Sequence, residues 1–199
     1  MKKIILSTVA ILAFGFANAQ DTKTAGSMGF AKGDLFLSGT VNVSNEKTGD
    51  VKEDGLTVSP SIGYFLADNW ALVGGIEFGS TKDDDGVADP VKTSSFGVNA
   101  GVAYFFTPAN QFSVSLGGNI SYTSSNFDNG VVDVDTKEIG VNVPLGLHYF
   151  VSDKFAIMAQ WGGLGYTTND NGGDDADKTN NLSLGLNMDS IGFGLLYKL

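Results

Sequence analysis

The chain has 199 residues, a formal net charge of -10, no cysteine, and 27 glycines against four prolines. The acidic balance argues against nucleic acid or an anionic lipid as a partner, and the lack of cysteine excludes a disulfide framework and thiolate metal sites. The length fits one domain, and the many glycines and phenylalanines are typical of strands and tight packing rather than disorder.

Residues 1–19 have the pattern of a secretory signal peptide. Two lysines, Lys2 and Lys3, precede an apolar segment at residues 4–16, and Ala17-Asn18-Ala19 has the small residues of a cleavage site. A membrane-spanning helix would need about 20 apolar residues. We therefore expect cleavage before residue 20 and export of the remaining chain.

After a short polar N-terminal lead-in at residues 20–32, eight runs alternate between apolar and small or polar residues, with the period of two that strands have. In chain order these runs cover residues 35–43, 56–64, 70–78, 96–106, 112–122, 139–149, 155–161 and 182–199. The last run changes phase, and a β-bulge at Asp189-Ser190 would restore its register. The alternative is a turn that splits this run, which would give nine strands.

A short segment with glycine and an aromatic pair or Tyr-Lys closes every second run. Its four copies lie at residues 63–66, 101–106, 146–151 and 194–199, a spacing of roughly 40 to 48 residues that indicates one repeated supersecondary unit. Turn formers follow the first three copies. Four returning strands imply four hairpins, and therefore eight strands over residues 33–199.

Alternation alone does not decide which face points inward, because a soluble sandwich or lipocalin-type barrel alternates as well. Two features favour an apolar face towards lipid. The connections are alternately tight and long, as in membrane barrels, with long loops at residues 45–54, 81–93, 124–137 and 168–180. Large residues from eight strands would also overfill an interior that only just holds its side chains.

Aromatic residues open or close the runs next to the tight turns. We expect them to form one interfacial girdle, consisting of Tyr64, Trp70, Tyr104, Phe112, Tyr149, Phe155 and Tyr197.

The signal peptide, the Gly-x-x-Tyr-Phe strand ends with Asp-Asn or Asp-Lys turns, and the C-terminal residues 192–199 resemble the small eight-stranded outer-membrane β-barrels of the OmpX/OmpA type. More closely, they resemble the outer membrane beta-barrel, porin-like proteins of Bacteroidetes-type bacteria. This resemblance implies an all-β fold, an eight-stranded antiparallel up-and-down transmembrane β-barrel in the cell outer membrane of a Gram-negative bacterium. It also implies a monomer that contacts outer-membrane lipid and lipopolysaccharide and is inserted by the barrel assembly machinery.

The small face of the runs would line the barrel lumen with a sparse set of polar residues. These pore candidates are Glu77, Asn99, Asn119, Asn142, His148, Gln160 and Lys198. They form either a solvated, hydrogen-bonded lining or a narrow path for water or small solutes. Phe65, Phe105 and Phe150 share one level near the periplasmic mouth, and we favour a largely closed pore because eight-stranded barrels are usually filled.

His148 is the only histidine. A hydrolase or acyltransferase would need a nucleophile and an orienting acid beside it, and no partner can be placed in reach, since Glu77 lies towards the other end of its strand. The sequence therefore predicts no catalytic residue and no enzyme. It predicts a structural or surface-interaction protein with acidic extracellular loops; a narrow porin is the alternative and a lipid-modifying barrel enzyme a distant third.

The acidic loops raise the question of metal binding. The segment at residues 170–177 lacks the EF-hand spacing and its closing glutamate, so no specific metal site and no cofactor are predicted. The weak loop candidates are Asp170, Asp174, Asp175 and Asp177. We expect calcium or magnesium to bind such loops weakly and non-specifically.

Overall fold

The computed structural model describes residues 28–87, 89–172, 176–185 and 192–199. The predicted signal peptide, at residues 1–19, and the predicted bulge at Asp189-Ser190 lie outside these ranges. The described residues contain no helix long and apolar enough to cross a membrane. Within the described ranges nine strands form one antiparallel sheet. They are β1 Leu35–Thr48, β2 Val51–Ala67, β3 Trp70–Asp84, β4 Val91–Phe105, β5 Phe112–Asp128, β6 Asp133–Phe150, β7 Phe155–Asn169, β8 Thr179–Leu184 and β9 Gly192–Lys198.

The sheet closes on itself into a barrel of eight positions. Strands β1 to β7 pair in sequence order, and β9 pairs with both β7 and β1. The eighth position is shared, because β8 pairs with residues 164–169 of β7 and β9 pairs with residues 155–160. The predicted eight-stranded antiparallel barrel with four hairpins is confirmed, although its last strand consists of two segments.

A change of phase in β7 was not predicted. Val143 of β6 is opposite Leu164, whereas Pro144 is opposite Gly162, so Gly163 is an extra residue in β7. Pro144 has no N–H to donate, and a proline inside a sheet is tolerated at such a bulge. Beyond it the outward positions of β7 are even-numbered, as Tyr166 shows, whereas before it they are odd-numbered.

The two faces of the sheet divide as the alternation predicts. Large apolar side chains point outwards and are about half exposed, among them Ile62, Leu72, Val102, Leu116 and Ile157. The inward side chains are small or polar over most of the barrel, because glycine, serine and asparagine occupy those positions. The apolar face is therefore the outer face.

The predicted girdle residues occupy the strand ends at the tight turns. Trp70 lies opposite Tyr104 with ring centroids 5.1 Å apart, and Phe155 lies opposite Tyr197 at 6.3 Å. Phe112 faces Tyr149, and Tyr64 pairs with the leucine that opens β1. Side chains directly opposite one another on antiparallel strands are close enough to pack, so these residues form a ring at one level.

A second aromatic level, which the sequence analysis missed, lies further along the strands. It consists of Phe78, Phe96, Tyr122 and Tyr166, all on the outer face. Phe78 follows Trp70 by eight residues. A rise of about 3.3 Å per residue and a strand tilt of about 40° separate the two levels by about 20 Å, close to the apolar band of a membrane barrel.

The sequence predicted long loops at residues 45–54, 81–93, 124–137 and 168–180. This prediction is wrong about their length, because the loops are shorter. Most of those residues continue the strands, and the connections are residues 49–50, 85–90, 129–132 and 170–178. The ladder between β1 and β2 runs to Thr48 opposite Val51, and Gly49 closes the turn at a φ of +65°, which glycine adopts without strain. Many of the acidic residues therefore lie on strand extensions rather than in loops.

The outward direction of Leu116 gives a stability test. We expect Leu116→Arg to lower the free energy of unfolding by about 2 to 4 kcal/mol, because a charge near the middle of the apolar band must leave water. Asn119→Arg, on the same strand but lining the lumen, should lower it clearly less. Denaturant titrations in lipid vesicles, followed by tryptophan fluorescence, measure both. Equal losses would mean that the outer face does not meet lipid.

Candidate functional site: the barrel lumen

Five phenylalanine rings close the barrel at the end with the tight turns. Phe30, Phe36, Phe65, Phe105 and Phe150 are each at most 3 % exposed. Phe30 is at the centre, with its ring centroid 4.6 to 5.3 Å from the other four. The three phenylalanines predicted to share this level do meet, and we call the five rings the aromatic floor.

Phe30 comes from the segment that the sequence analysis assigned to the polar lead-in. Its backbone N–H donates to the carbonyl oxygen of Pro108 at 2.7 Å. The preceding Gly29 has a φ of +131°, and a Cβ at this position would lie 2.5 Å from the carbonyl carbon of Ala109. Only glycine lets the backbone approach this closely, so the chain can place Phe30 inside the mouth.

Lys198 holds the same segment from the other end of the chain. Its Nζ donates to the carbonyl oxygen of Gly29 at 2.5 Å and lies 3.6 Å from the Asp34 carboxylate. The Nζ also lies 5.6 Å from the centroid of the Phe150 ring. Lys198 was predicted to line the lumen, but it lies at the mouth and does not line the cavity above the floor.

Above the aromatic floor the lumen is a cavity of about 550 Å³. The other six predicted lumen residues all line it, namely Glu77, Asn99, Asn119, Asn142, His148 and Gln160. Glu138, which lies just before the predicted sixth run, also lines it, because β6 begins earlier than predicted. A polar cavity of this volume is within the size range of small-molecule sites.

Hydroxyl groups and carboxylates form the hydrogen bonds of the cavity wall. Ser59 Oγ donates to Glu77 Oε2 at 3.1 Å, and the Oγ atoms of Ser38 and Ser61 are 2.6 Å apart. Glu77 is half-buried, and Ser59 gives its carboxylate the one hydrogen bond seen among the described residues. A carboxylate accepts several hydrogen bonds, so Glu77 keeps acceptor capacity towards the cavity.

His148 lies at the bottom of the cavity and is 6 % exposed. Its Nε2 is 3.0 Å from Ser115 Oγ, and the centroid of its ring lies 4.9 Å from that of Phe105, with the two rings tilted by 39°. The prediction that no partner reaches His148 is therefore wrong. Ser115 lies on the neighbouring strand β5 with the same inward parity, two residues from Ser113, which is directly opposite His148, so strand parity could have suggested this diagonal contact.

Ser115 and His148 do not form the catalytic arrangement of a hydrolase. Among the described residues, Nδ1 of His148 has no hydrogen-bond partner, whereas a Ser-His-Asp site needs an acid there to orient the ring. Both side chains are also almost fully buried. The pair fills the bottom of the cavity and is held there by its own hydrogen bond.

Of the weak metal candidates, Asp170 has a structural role. Asp170 Oδ1 accepts from the backbone N–H of Lys137 at 2.7 Å and of Gly172 at 3.2 Å, and the first of these bonds does most to hold the pKa of Asp170 below its usual range. Asp177 is exposed, and Asp174 and Asp175 lie outside the described residues. In the described ranges no three acidic or histidine side chains could together hold a metal, and weak divalent binding stays a prediction.

Comparison with known proteins bears directly on this architecture. The family model of the outer membrane protein beta-barrel domain matches residues 7–189. The chain belongs to this family. The outer membrane protein beta-barrel family places this protein in the outer membrane, and its apolar outer face is the lipid-facing surface. No match was found among curated proteins.

Two solved structures have the same architecture as this family member. The N-terminal β-barrel domain of OprF from Pseudomonas aeruginosa has 13 % identity and a TM-score of 0.53, over 85 % of this chain and 100 % of that one. The outer membrane protein OprG from Pseudomonas aeruginosa has 12 % identity and a TM-score of 0.54, over 86 % and 98 %. At such identities the likeness shows the fold alone.

A substitution at Gly29 tests whether the segment around Phe30 is held in the mouth of the barrel. We expect Gly29→Ala to displace the segment around Phe30, because the new Cβ would collide with the backbone of Ala109, and to speed tryptic cleavage after the exposed Lys32 several-fold. Gly33→Ala is the matched control, since Gly33 also has a positive φ, +90°, but no atom lies within 4 Å of its added Cβ. Mass spectrometry of the folded barrel in micelles identifies the cut. Unchanged cleavage in Gly29→Ala would show that the segment is not seated there.

Proposed function

We propose that this protein is a non-conducting outer-membrane barrel with a structural or surface-interaction role. The observation that carries this proposal is the aromatic floor, since all five rings are buried and pack around Phe30. Rings with centroids 4.5 to 7 Å apart are in direct packing contact. A solute that crossed the barrel would have to displace at least one of them.

Opening this floor would disrupt several interactions at once. Phe30 is fixed by its own backbone hydrogen bond to Pro108 and by Lys198 acting on Gly29. Exposing a fully buried phenylalanine side chain costs about 1.5 to 3 kcal/mol, and the two hydrogen bonds would be lost as well. Thermal fluctuations therefore open the floor rarely, which supports a closed barrel.

The surface role is supported by the hairpin ends that project beyond the second aromatic level. Val87 and Val131 are 93 % and 91 % exposed at two hairpin ends, surrounded by acidic residues of the strand extensions. The tips lie side by side, since a Cβ on Gly130 would be 3.7 Å from Asp89. Exposed apolar residues with a polar rim are common at interaction sites, and an acidic rim favours a cationic partner.

A narrow porin is the second candidate, favoured by the polar cavity of about 550 Å³ above the floor. This cavity would serve as the wide part of a channel if the floor opened. We expect no enzymatic activity, because the pair of Ser115 and His148 lacks an orienting acid among the described residues.

Conductance in planar bilayers tests the proposal. We expect the wild-type protein to give no stable current steps, and the double variant Phe30→Ala with Phe150→Ala to give them, because it removes two rings of the aromatic floor. The control is Phe106→Ala with Phe193→Ala, two outward side chains, which should stay silent. A shift in gel mobility on boiling verifies that each variant is folded. Stable steps from the wild-type protein would overturn the proposal in favour of the porin.

A further inference from the structure

The strands continue beyond the second aromatic level, and on these extensions a row of acidic side chains and the basic side chains lie on different faces of the sheet. Glu46 lies opposite Glu53, and Glu53 lies opposite Asp83, across three neighbouring strands. Glu53 has the same parity as Ser59, and Asp83 has the same parity as Glu77, both of which line the cavity. These three carboxylates therefore stand on the lumen face, above the mouth of the cavity.

The lysines of the same strands lie on the other face. They alternate with the lumen positions and share the parity of lipid-facing residues, as Lys82 does with Leu72 and Ile76; the full set is Lys47, Lys52, Lys82, Lys92 and Lys137. The residues that line the cavity include Glu77 and Glu138 and no lysine. In the described strands, the lumen above the aromatic floor thus carries carboxylates and no lysine.

The shape of the lumen increases the effect of these negative charges. The aromatic floor closes one end and the outer face of the barrel is apolar, so the field of the carboxylates is concentrated in a narrow well, which raises the local concentration of cations. At the bottom His148 is more than nine-tenths buried, and its Nδ1 has no partner among the described residues.

We propose that the lumen is a binding site for a small organic polycation, a linear molecule with two or more ammonium groups. Ammonium groups donate hydrogen bonds and carry positive charge, so they complement the carboxylates of Glu77 and Glu138 and the amide oxygens between them. An anion would meet no lysine along the described wall. A bare divalent ion is a poorer fit, because no three carboxylates of the described residues converge on one point.

This inference goes beyond the proposed function. Binding needs only the open end of the lumen, and it is measured without a voltage or a second compartment. A barrel that proved to conduct could still bind the cation, and a silent barrel could fail to bind it. The two proposals therefore fail separately.

Isothermal titration of the folded, full-length barrel in micelles with spermidine tests the inference. We expect saturable binding that weakens with added salt, because screened charges attract less. Glu77→Gln should weaken it by at least about tenfold, as the loss of one charge-assisted hydrogen bond does. Asp84→Asn is the matched control, since this residue has the opposite parity on the same strand and pairs with Lys82 outside the lumen; it should change affinity less than about twofold.

Three results would overturn the inference. The first is an equal effect of Glu77→Gln and Asp84→Asn, which would mean attraction to the overall negative charge. The second is a neutral disaccharide that binds as tightly as spermidine, which would assign the lumen to sugars. The third is no saturable binding at low salt by a barrel whose gel shift on boiling shows that it is folded.

Discussion

The structure depends on satisfying backbone hydrogen bonds where no water can do so. In the hydrocarbon region each unpaired N–H or C=O costs several kcal/mol, so a sheet there must close. Pairing of β9 with residues 36–40 of β1 provides this closure. Once the sheet is closed, its two faces have different surroundings, and the alternation of each strand must place the apolar residues in lipid and the small polar ones inside. The lumen is thus a consequence of closure.

Closure also limits what the inside can hold, and this chain fills only one end. Glycine and serine leave the middle of the lumen empty, whereas phenylalanines from four strands and the N-terminal segment fill the mouth. The two are linked at Gly63, where any side chain would collide with the ring of Phe36. A small residue beside each large one is what lets five rings pack at one level. The order of large and small inward side chains along the strands therefore determines both the aromatic floor and the open cavity above it.

The sequence predicted the features that follow from local alternation and missed those that depend on distant contacts. Strand number, the outward apolar face and six of the cavity residues follow from parity. Phe30 was missed because it is the one aromatic residue in a polar segment without alternation, and its contact with Pro108 joins distant parts of the chain. The bulge at Gly163 could have been suspected from Pro144, which interrupts a ladder. The strand extensions were missed because polar residues between turn formers resemble loops.

Sorting the charges by face has an energetic consequence. Like charges directly opposite each other on neighbouring strands are destabilising, and Glu46, Glu53 and Asp83 stand in such a row. The lysines that could neutralise them point away from the lumen. A cation held in the lumen would relieve this repulsion and bind the closed barrel better than the unfolded chain. Binding and stability are then coupled, since a ligand that prefers the folded state stabilises it. The same carboxylates that weaken the empty barrel therefore give it affinity for a cation.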